Sequence, residues 1–275
     1  MIEMSTIRHE EYMRRASDGT RLFFQSWRPS EREVGVMCLV HGHGEHSGRY
    51  ESAVEELTVA GFAVCAFDLR GHGRSEGPRG DAPSYAQLMD DVGLLLREAE
   101  MTFPGRMQFL FGHSLGGNLV LNYVLRRKPL LGGVVCTAPW LDLAFRPPWW
   151  KVAAMRILGA LKPEHPASSK RERVKSEEDG GDPLMHSIIT PRVFFESRDA
   201  AGWARRNASL FETPLLIVHG GDDKATSDVV SRQFVTDSCG DATFTLWPGL
   251  SHNIHRDDVE GDLFRHITEW AALRL

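Results

Sequence analysis

The chain has 275 residues, 42% of them hydrophobic, and a formal net charge of −5 at neutral pH. That is enough apolar material for one large core carrying an insertion, and the acidic balance with dispersed basic residues argues against a nucleic-acid partner. Four cysteines, Cys38, Cys65, Cys136 and Cys239, are too widely spaced for a C-x-x-C pair and make no secretory disulfide pattern.

Met1 to Asp18 is polar and contains no apolar h-region, and no stretch approaches 18 uninterrupted apolar residues. The expectation is a cytoplasmic protein without signal peptide or membrane span, whose membrane contact is limited to transient docking at the surface. After the turn Ser17 to Thr20, Arg21 to Trp27 alternates as an edge strand does, and residues 34–40 form an apolar strand. The loop that follows reads His41-Gly42-His43-Gly44-Glu45-His46. Three histidines so close invite a metal reading, but their spacing fits no zinc motif. Alternation with glycine suits a loop that presents backbone amides to a developing oxyanion.

Residues 49–60 read as a helix and 62–67 as a strand. A glycine-rich loop, Asp68 to Ser75, comes next; it lacks the G-x-x-x-x-G-K-[ST] spacing of a phosphate cradle, so nucleotide binding is rejected. A helix over 85–100 stops at Pro104-Gly105, and 107–111 is again strand. Gly112-His113-Ser114-Leu115-Gly116 is then G-x-S-x-G between that strand and a helix over 118–126. A sharp strand-to-helix turn crowds the backbone around Ser114, and glycine fits best on either side of it. Ser114 is therefore a candidate nucleophile. Residues 130–137 add another strand, and strands alternating with helices at this tempo predict an α/β fold. Its central sheet is mostly parallel, with helices on both faces.

That rhythm breaks over 140–209. Trp149 to Leu161 and Pro191 to Arg206 read as helices, separated by a charged, serine-rich stretch from Pro163 to Asp182 that looks like an exposed, mobile loop. The expectation is a helical cap, or lid, over 140–209, inserted into a core made of 1–139 and 210–275. Most cap aromatics serve to seat it, but its underside could supply an acyl slot, with Trp149, Ile157, Leu158, Phe194 and Phe195 as candidates. Strand and helix resume at 214–220, 226–237, 242–247 and 258–273.

An unassisted serine hydroxyl is a poor nucleophile, so Ser114 needs a base and an acid that follow it in chain order. The apolar run Leu215 to Val218 leads through His219 and two glycines into Asp222-Asp223, placing carboxylates at the C-terminal edge of a strand. Asp223 is the chosen acid and Asp222 the fallback. His252, in the loop after the 242–247 strand, is the chosen base, whereas His255 is expected to be a partly exposed structural residue. His113 and His219 are expected to be packed near the site.

With these residues placed, the chain resembles the α/β-hydrolase superfamily, and more closely its monoacylglycerol lipase and lysophospholipase-like branch. His41 to Tyr50 is similar to that branch's His-Gly-x-Gly-Glu-His-Ser-x-Arg-Tyr signature, and Phe67 to Ser75 and Gly112 to Gly117 match its second signature and nucleophile turn. The resemblance implies Ser114 as nucleophile, Asp223 as acid, His252 as base, and the backbone amides of His43 and Leu115 as oxyanion donors. It implies no cofactor and no metal. The substrate it points to is a small-molecule ester or monoacyl lipid, with a carboxylesterase for short or unusual esters, or a lysophospholipase, as the alternative. A ligand-binding protein on a hydrolase scaffold is the rival from outside enzymology.

Overall fold

A computed structural model describes residues 7–168, 181–257 and 261–275. Eight strands form one sheet: β1 (Arg8–Arg15), β2 (Arg21–Arg28), β3 (Gly35–Val40), β4 (Phe62–Phe67), β5 (Gln108–His113), β6 (Gly133–Thr137), and, beyond the insertion, β9 (Leu215–Gly220) and β10 (Ala242–Trp247). Their order across the sheet is β1-β2-β4-β3-β5-β6-β9-β10. The pairings β1–β2 and β2–β4 are antiparallel, and every pairing from β4 to β10 is parallel.

β3, β4, β6 and β9 are buried along their whole length. They read as unbroken apolar runs because helices cover both faces of the sheet. One face packs on α2 (Tyr85–Thr102) and α3 (Leu115–Arg127), burying Leu88, Val92, Leu95, Leu119 and Val120. The other packs on α1 (Glu51–Val59) and the C-terminal α6 (Asp262–Ala272), burying Val54, Leu57, Leu263, Phe264 and Ile267. The connection leaving β3 thus runs over one face and the one leaving β5 over the other, so a crevice opens at the C-terminal ends of these neighbouring strands.

The strand over 21–27 is not the edge. β1 lies outside it, and its sequence, RHEEYMRR, hides it from pattern reading because seven of its eight positions are exposed. Charged side chains on an outermost strand discourage pairing with a second molecule, which accounts for that composition. The helix expected to begin at Asn118 starts at once after Ser114. The C-terminal helix is described from Asp262, since residues 258–260 of its expected span lie outside the described residues.

Between β6 and β9 lie α4 (Trp149–Leu161), two short paired strands, β7 (Ala167–Ser168) and β8 (Ile188–Ile189), and α5 (Pro191–Arg206). The stretch expected as mobile loop falls largely on 169–180, outside the described residues. Thr190 starts α5: its hydroxyl accepts from the Val193 amide and donates to Asp81 Oδ1 at 2.7 Å. α5 buries Val193, Ala200, Ala201 and Ala204 and packs on α3, the helix that begins at Ser114. Asn118, one turn into α3, is fully buried; its amide donates to Trp140 O (2.8 Å) and to Ser197 O on α5 (3.1 Å). A satisfied buried amide of this kind ties the insertion to the core at one register. The three strand cysteines, Cys38, Cys65 and Cys136, are free and buried; Cys239 is free and exposed.

Candidate active site

Ser114 connects β5 to α3 with φ 51° and ψ −113°. A non-glycine residue held there carries strain on the order of 1–3 kcal/mol, which the surrounding packing must sustain. The backbone is pinned on three sides: Ser114 N–H donates to Thr137 O, and Ser114 O accepts from the amides of Asn118 and Trp140, all within 3.0 Å. Glycine is required beside it, because a Cβ on Gly112 would sit 2.5 Å from Gly116 O. The turn lifts the Ser114 side chain above the sheet edge, where the loops after β9 and β10 also end.

His252 meets Ser114 there. Its Nε2 lies 2.9 Å from Ser114 Oγ and its Nδ1 2.8 Å from Asp223 Oδ2. With a carboxylate at Nδ1, that nitrogen carries the proton and Nε2 is left to accept from the serine hydroxyl. The three residues singled out from separate stretches of sequence are therefore brought into one hydrogen-bonded line. Asp222, the fallback acid, is exposed beside it.

Asp223 is the most heavily supported group in the site. Oδ1 accepts from the amides of Ala225 (2.7 Å) and Thr226 (3.1 Å), and Oδ2 accepts from Thr226 Oγ1 (2.7 Å) as well as from His252. His219 Nε2 lies 3.0 Å from the same oxygen, with both side chains essentially inaccessible. Burial pushes this carboxyl up, but the hydrogen bonds from His219, His252 and Thr226 outweigh it and hold it well below the usual carboxylate range. Thr226 and the direct contact from His219 were not anticipated. The signal for Thr226 was a hydroxyl residue three positions after an aspartate, a common turn-closing arrangement.

The other histidines also gather here. His113 Nδ1 sits 3.1 Å from Thr137 O, and its ring lies 5.1 Å from that of His252 and 4.6 Å from that of His255. His255 is not partly exposed, as expected, but buried: it stacks on Tyr50 at 4.4 Å, with Nε2 3.6 Å from Glu45 Oε2. The position looked exposed because its neighbours are charged; the aromatic partner arrives from a loop two hundred residues away in sequence. His72 and His186 rings lie 4.5 Å apart, each within 5.5 Å of the His43 ring. Among the described residues, no group of three His, Cys, Asp or Glu side chains is arranged to hold a metal ion.

Burial, joined by neighbouring charges, keeps several of these imidazoles neutral. His186 is pushed down to about 4, with Arg79 contributing, and His72 and His113 fall well below the ordinary histidine value. Unfolded histidine titrates near 6.5, so between about pH 6.5 and 4 the unfolded chain binds protons that the native chain refuses. Their stabilising contribution is complete above 6.5 and lost as pH falls toward 4. Thermal melts at pH 7.5 and 4.5 are expected to differ by at least about 5 °C, lower in acid, and His186→Gln should shrink that difference. Equal midpoints at the two pH values would contradict this assignment.

The expected acyl-slot residues divide. Trp149 and Ile157 are 80% and 64% exposed, and no residue of α4 is buried. Leu158 is half-buried. Phe194 packs on Trp140, ring centroids 5.7 Å apart, and on Phe195 at 5.2 Å; the Trp140 amide is the one bound to Ser114 O. Phe194 is thus linked through Trp140 to the backbone of Ser114. Asp182 of the insertion reaches the histidine loop, accepting from His46 Nε2 at 2.7 Å.

Sequence comparison decides the family. The family model described as serine aminopeptidase, S33, matches residues 31–259. The chain belongs to this family of the α/β-hydrolase superfamily. It is related within the superfamily to monoacylglycerol lipases: a crystal structure of the monoacylglycerol lipase of Paleococcus ferrophilus superposes with a TM-score of 0.82 at 32% identity, covering 92% of this chain and 99% of that one. A monoacylglycerol lipase of Mycolicibacterium smegmatis is 28% identical over 94% of this chain and 95% of its own length. An abhydrolase domain-containing protein of Dictyostelium discoideum, itself uncharacterized, is 33% identical over 94% of this chain, which spans only 28% of that longer relative. Family and fold together support a serine hydrolase of the lipase-like esterase kind. No helix among the described residues is long and apolar enough to cross a membrane.

Proposed function

We propose that this protein is a monoacylglycerol lipase that releases fatty acid and glycerol through an acyl-serine intermediate. The observation that carries the proposal is the Asp223–His252–Ser114 line, with 2.8 and 2.9 Å links, at the C-terminal edge of a parallel sheet. His252 takes the Ser114 proton as Oγ attacks the ester carbonyl, and Asp223 holds the imidazole tautomer and offsets the imidazolium charge. The backbone amides of His43 and Leu115 stabilise the tetrahedral oxyanion, each such donor being worth about 3 kcal/mol. His252 then protonates the departing glycerol oxygen, and water activated by the same nitrogen clears the acyl-serine.

The insertion over 140–209 acts as the cap, and the clustered rings of Trp140, Phe194 and Phe195 are its candidate apolar wall for the acyl chain. The similarity to monoacylglycerol lipases along nearly the whole chain favours one acyl chain on a small polar alcohol over a bulky headgroup. The test is a rate profile under matched conditions for 1-monooleoylglycerol, dioleoylglycerol, lysophosphatidylcholine, p-nitrophenyl butyrate and aminoacyl p-nitroanilides. Monoacylglycerol is expected to give a kcat/KM at least about tenfold above the others, a discrimination of about 1.4 kcal/mol. A profile led by lysophospholipid, short ester or anilide would replace the proposed substrate while keeping the nucleophile.

A further inference from the structure

Resting on the function proposed above, in which the acyl chain lies against the rings of Trp140, Phe194 and Phe195, one buried amide acquires a role. We infer that Asn118 is a positioning residue for acyl-chain selectivity: its side chain fixes where that ring cluster stands relative to Ser114. Asn118 is fully buried one turn into α3, the helix that starts at once after Ser114. Its Nδ2 donates to Trp140 O at 2.8 Å and to Ser197 O on α5 at 3.1 Å. One amide group thus holds the loop after β6, the cap helix and the nucleophile's helix together.

The ring cluster is attached at both of these points. The Trp140 amide donates to Ser114 O at 2.9 Å and its carbonyl accepts from Asn118, so both polar groups of that backbone are tied to the start of α3. Ser197 lies three residues after Phe194 on α5, on the same side of the helix. The Phe194 ring is 5.7 Å from that of Trp140. The rest of the buried face of α5 is rich in short side chains, Ala200, Ala201 and Ala204 among them. Such low ridges resist sliding only weakly, whereas a hydrogen bond has a preferred distance and direction and so sets the register.

The amide has one orientation that its partners allow. Carbonyl oxygens only accept, so the NH2 end faces Trp140 O and Ser197 O, and Oδ1 is left for the Tyr85 hydroxyl, 2.5 Å away. Tyr85 is the first residue of α2, and its backbone amide donates to Glu196 Oε2 of α5. Both amide hydrogens and the amide oxygen are therefore satisfied. Asparagine is a poorer helix former than leucine, and an amide is costly to bury. Leucine would fill nearly the same space with neither penalty; what it lacks is a means of aiming the cap.

An amide that served only to stabilise the fold would, once removed, slow every ester alike. The test is the p-nitrophenyl series from acetate to laurate, in which the leaving group stays constant and only the acyl chain grows. With active sites titrated by fluorophosphonate, Asn118→Leu is expected to lower the laurate-to-acetate ratio of kcat/KM at least about tenfold. Misplacement by about 1 Å can cost that much and more. In a Phe194→Ala background, where the wall is already breached, the same substitution should change the ratio less than about twofold. Tyr85→Phe, which removes only the hydroxyl that orients the amide, should lower the ratio about threefold, and it carries the test if Asn118→Leu does not fold. A folded Asn118→Leu protein with a ratio within about twofold of wild type overturns the inference. So does an equal loss with and without Phe194, or an unchanged ratio in Tyr85→Phe. Phe194→Ala with wild-type rates on laurate defeats the acyl-wall reading itself, and the inference with it; wild-type protein that takes no fluorophosphonate defeats the serine-hydrolase reading beneath both.

Discussion

Replacing Ser114 with alanine lowers ester turnover by at least about 10⁵-fold and leaves the fold in place. Loss of the nucleophile from a serine–histidine–aspartate unit typically costs that much, because the base and the acid have no independent chemistry to offer. The side chain contributes one hydrogen bond, to His252 Nε2 at 2.9 Å, so its removal does little to the core. Alanine inherits the same φ of 51°, and the backbone strain is unrelieved. Ser114→Gly is the companion variant: equally inactive, it is expected to be about 1 kcal/mol more stable than Ser114→Ala, since glycine tolerates that conformation. The measurements are monoacylglycerol hydrolysis with contaminating esterase removed, fluorophosphonate labelling, and denaturant midpoints for both variants. Substantial residual activity in Ser114→Ala would take the residue out of the mechanism.

Asp223→Asn is expected to lower kcat about 10⁴-fold and also to destabilise the protein by about 2–4 kcal/mol. The catalytic part arises because a neutral amide lets His252 adopt the wrong tautomer, with Nε2 protonated and unable to accept from Ser114. The stability part arises because donors from Ala225, Thr226, His219 and His252 converge on this one buried carboxylate, and an amide group turns some of those contacts donor against donor. The folded carboxyl titrates below its unfolded value, so its stabilising contribution is present above about pH 4 and disappears only as pH falls further. Asp223→Asn should therefore lose stability across the neutral range, and its melting temperature should depend less on pH below 4 than that of wild type. Asp222→Asn serves as the exposed neighbour and should change kcat by less than about threefold. If Asp222→Asn proved the more damaging variant, the acid would have to be reassigned.

The legibility of this chain tracks how local each constraint is. β3, β4, β5, β6 and β9 were visible because each is a largely apolar run bounded by turn residues, and burial on both faces demands that composition; β10, at the other edge of the sheet, showed itself by the alternation of ATFTLW. The serine turn was visible because a tight strand-to-helix connection forces glycine on both sides of Ser114. Asp223 and His252 could be selected because each follows a strand whose C-terminal end must lie at the same sheet edge. β1 was invisible for the reverse reason: an outer strand need bury little, and RHEEYMRR carries no period for a reader to find. The insertion was delimited by the loss of alternation, but which of its aromatics face Ser114 was not, because α4 is amphipathic in sequence while exposing Trp149 and Ile157.

What the amino-acid order determined by itself was the set of pieces held by short-range sterics and by hydrophobic period: the strands, the helices, the serine turn, and the strand-end positions of Asp223 and His252. What only the tertiary structure decided were the long-range polar contacts. The Asn118 amide on Trp140 O and Ser197 O, His255 against Tyr50 and Glu45, and Asp182 against His46 join residues whose pairing leaves no local trace. A buried polar group requires a partner, but nothing in its own neighbourhood of sequence says which distant group that partner will be.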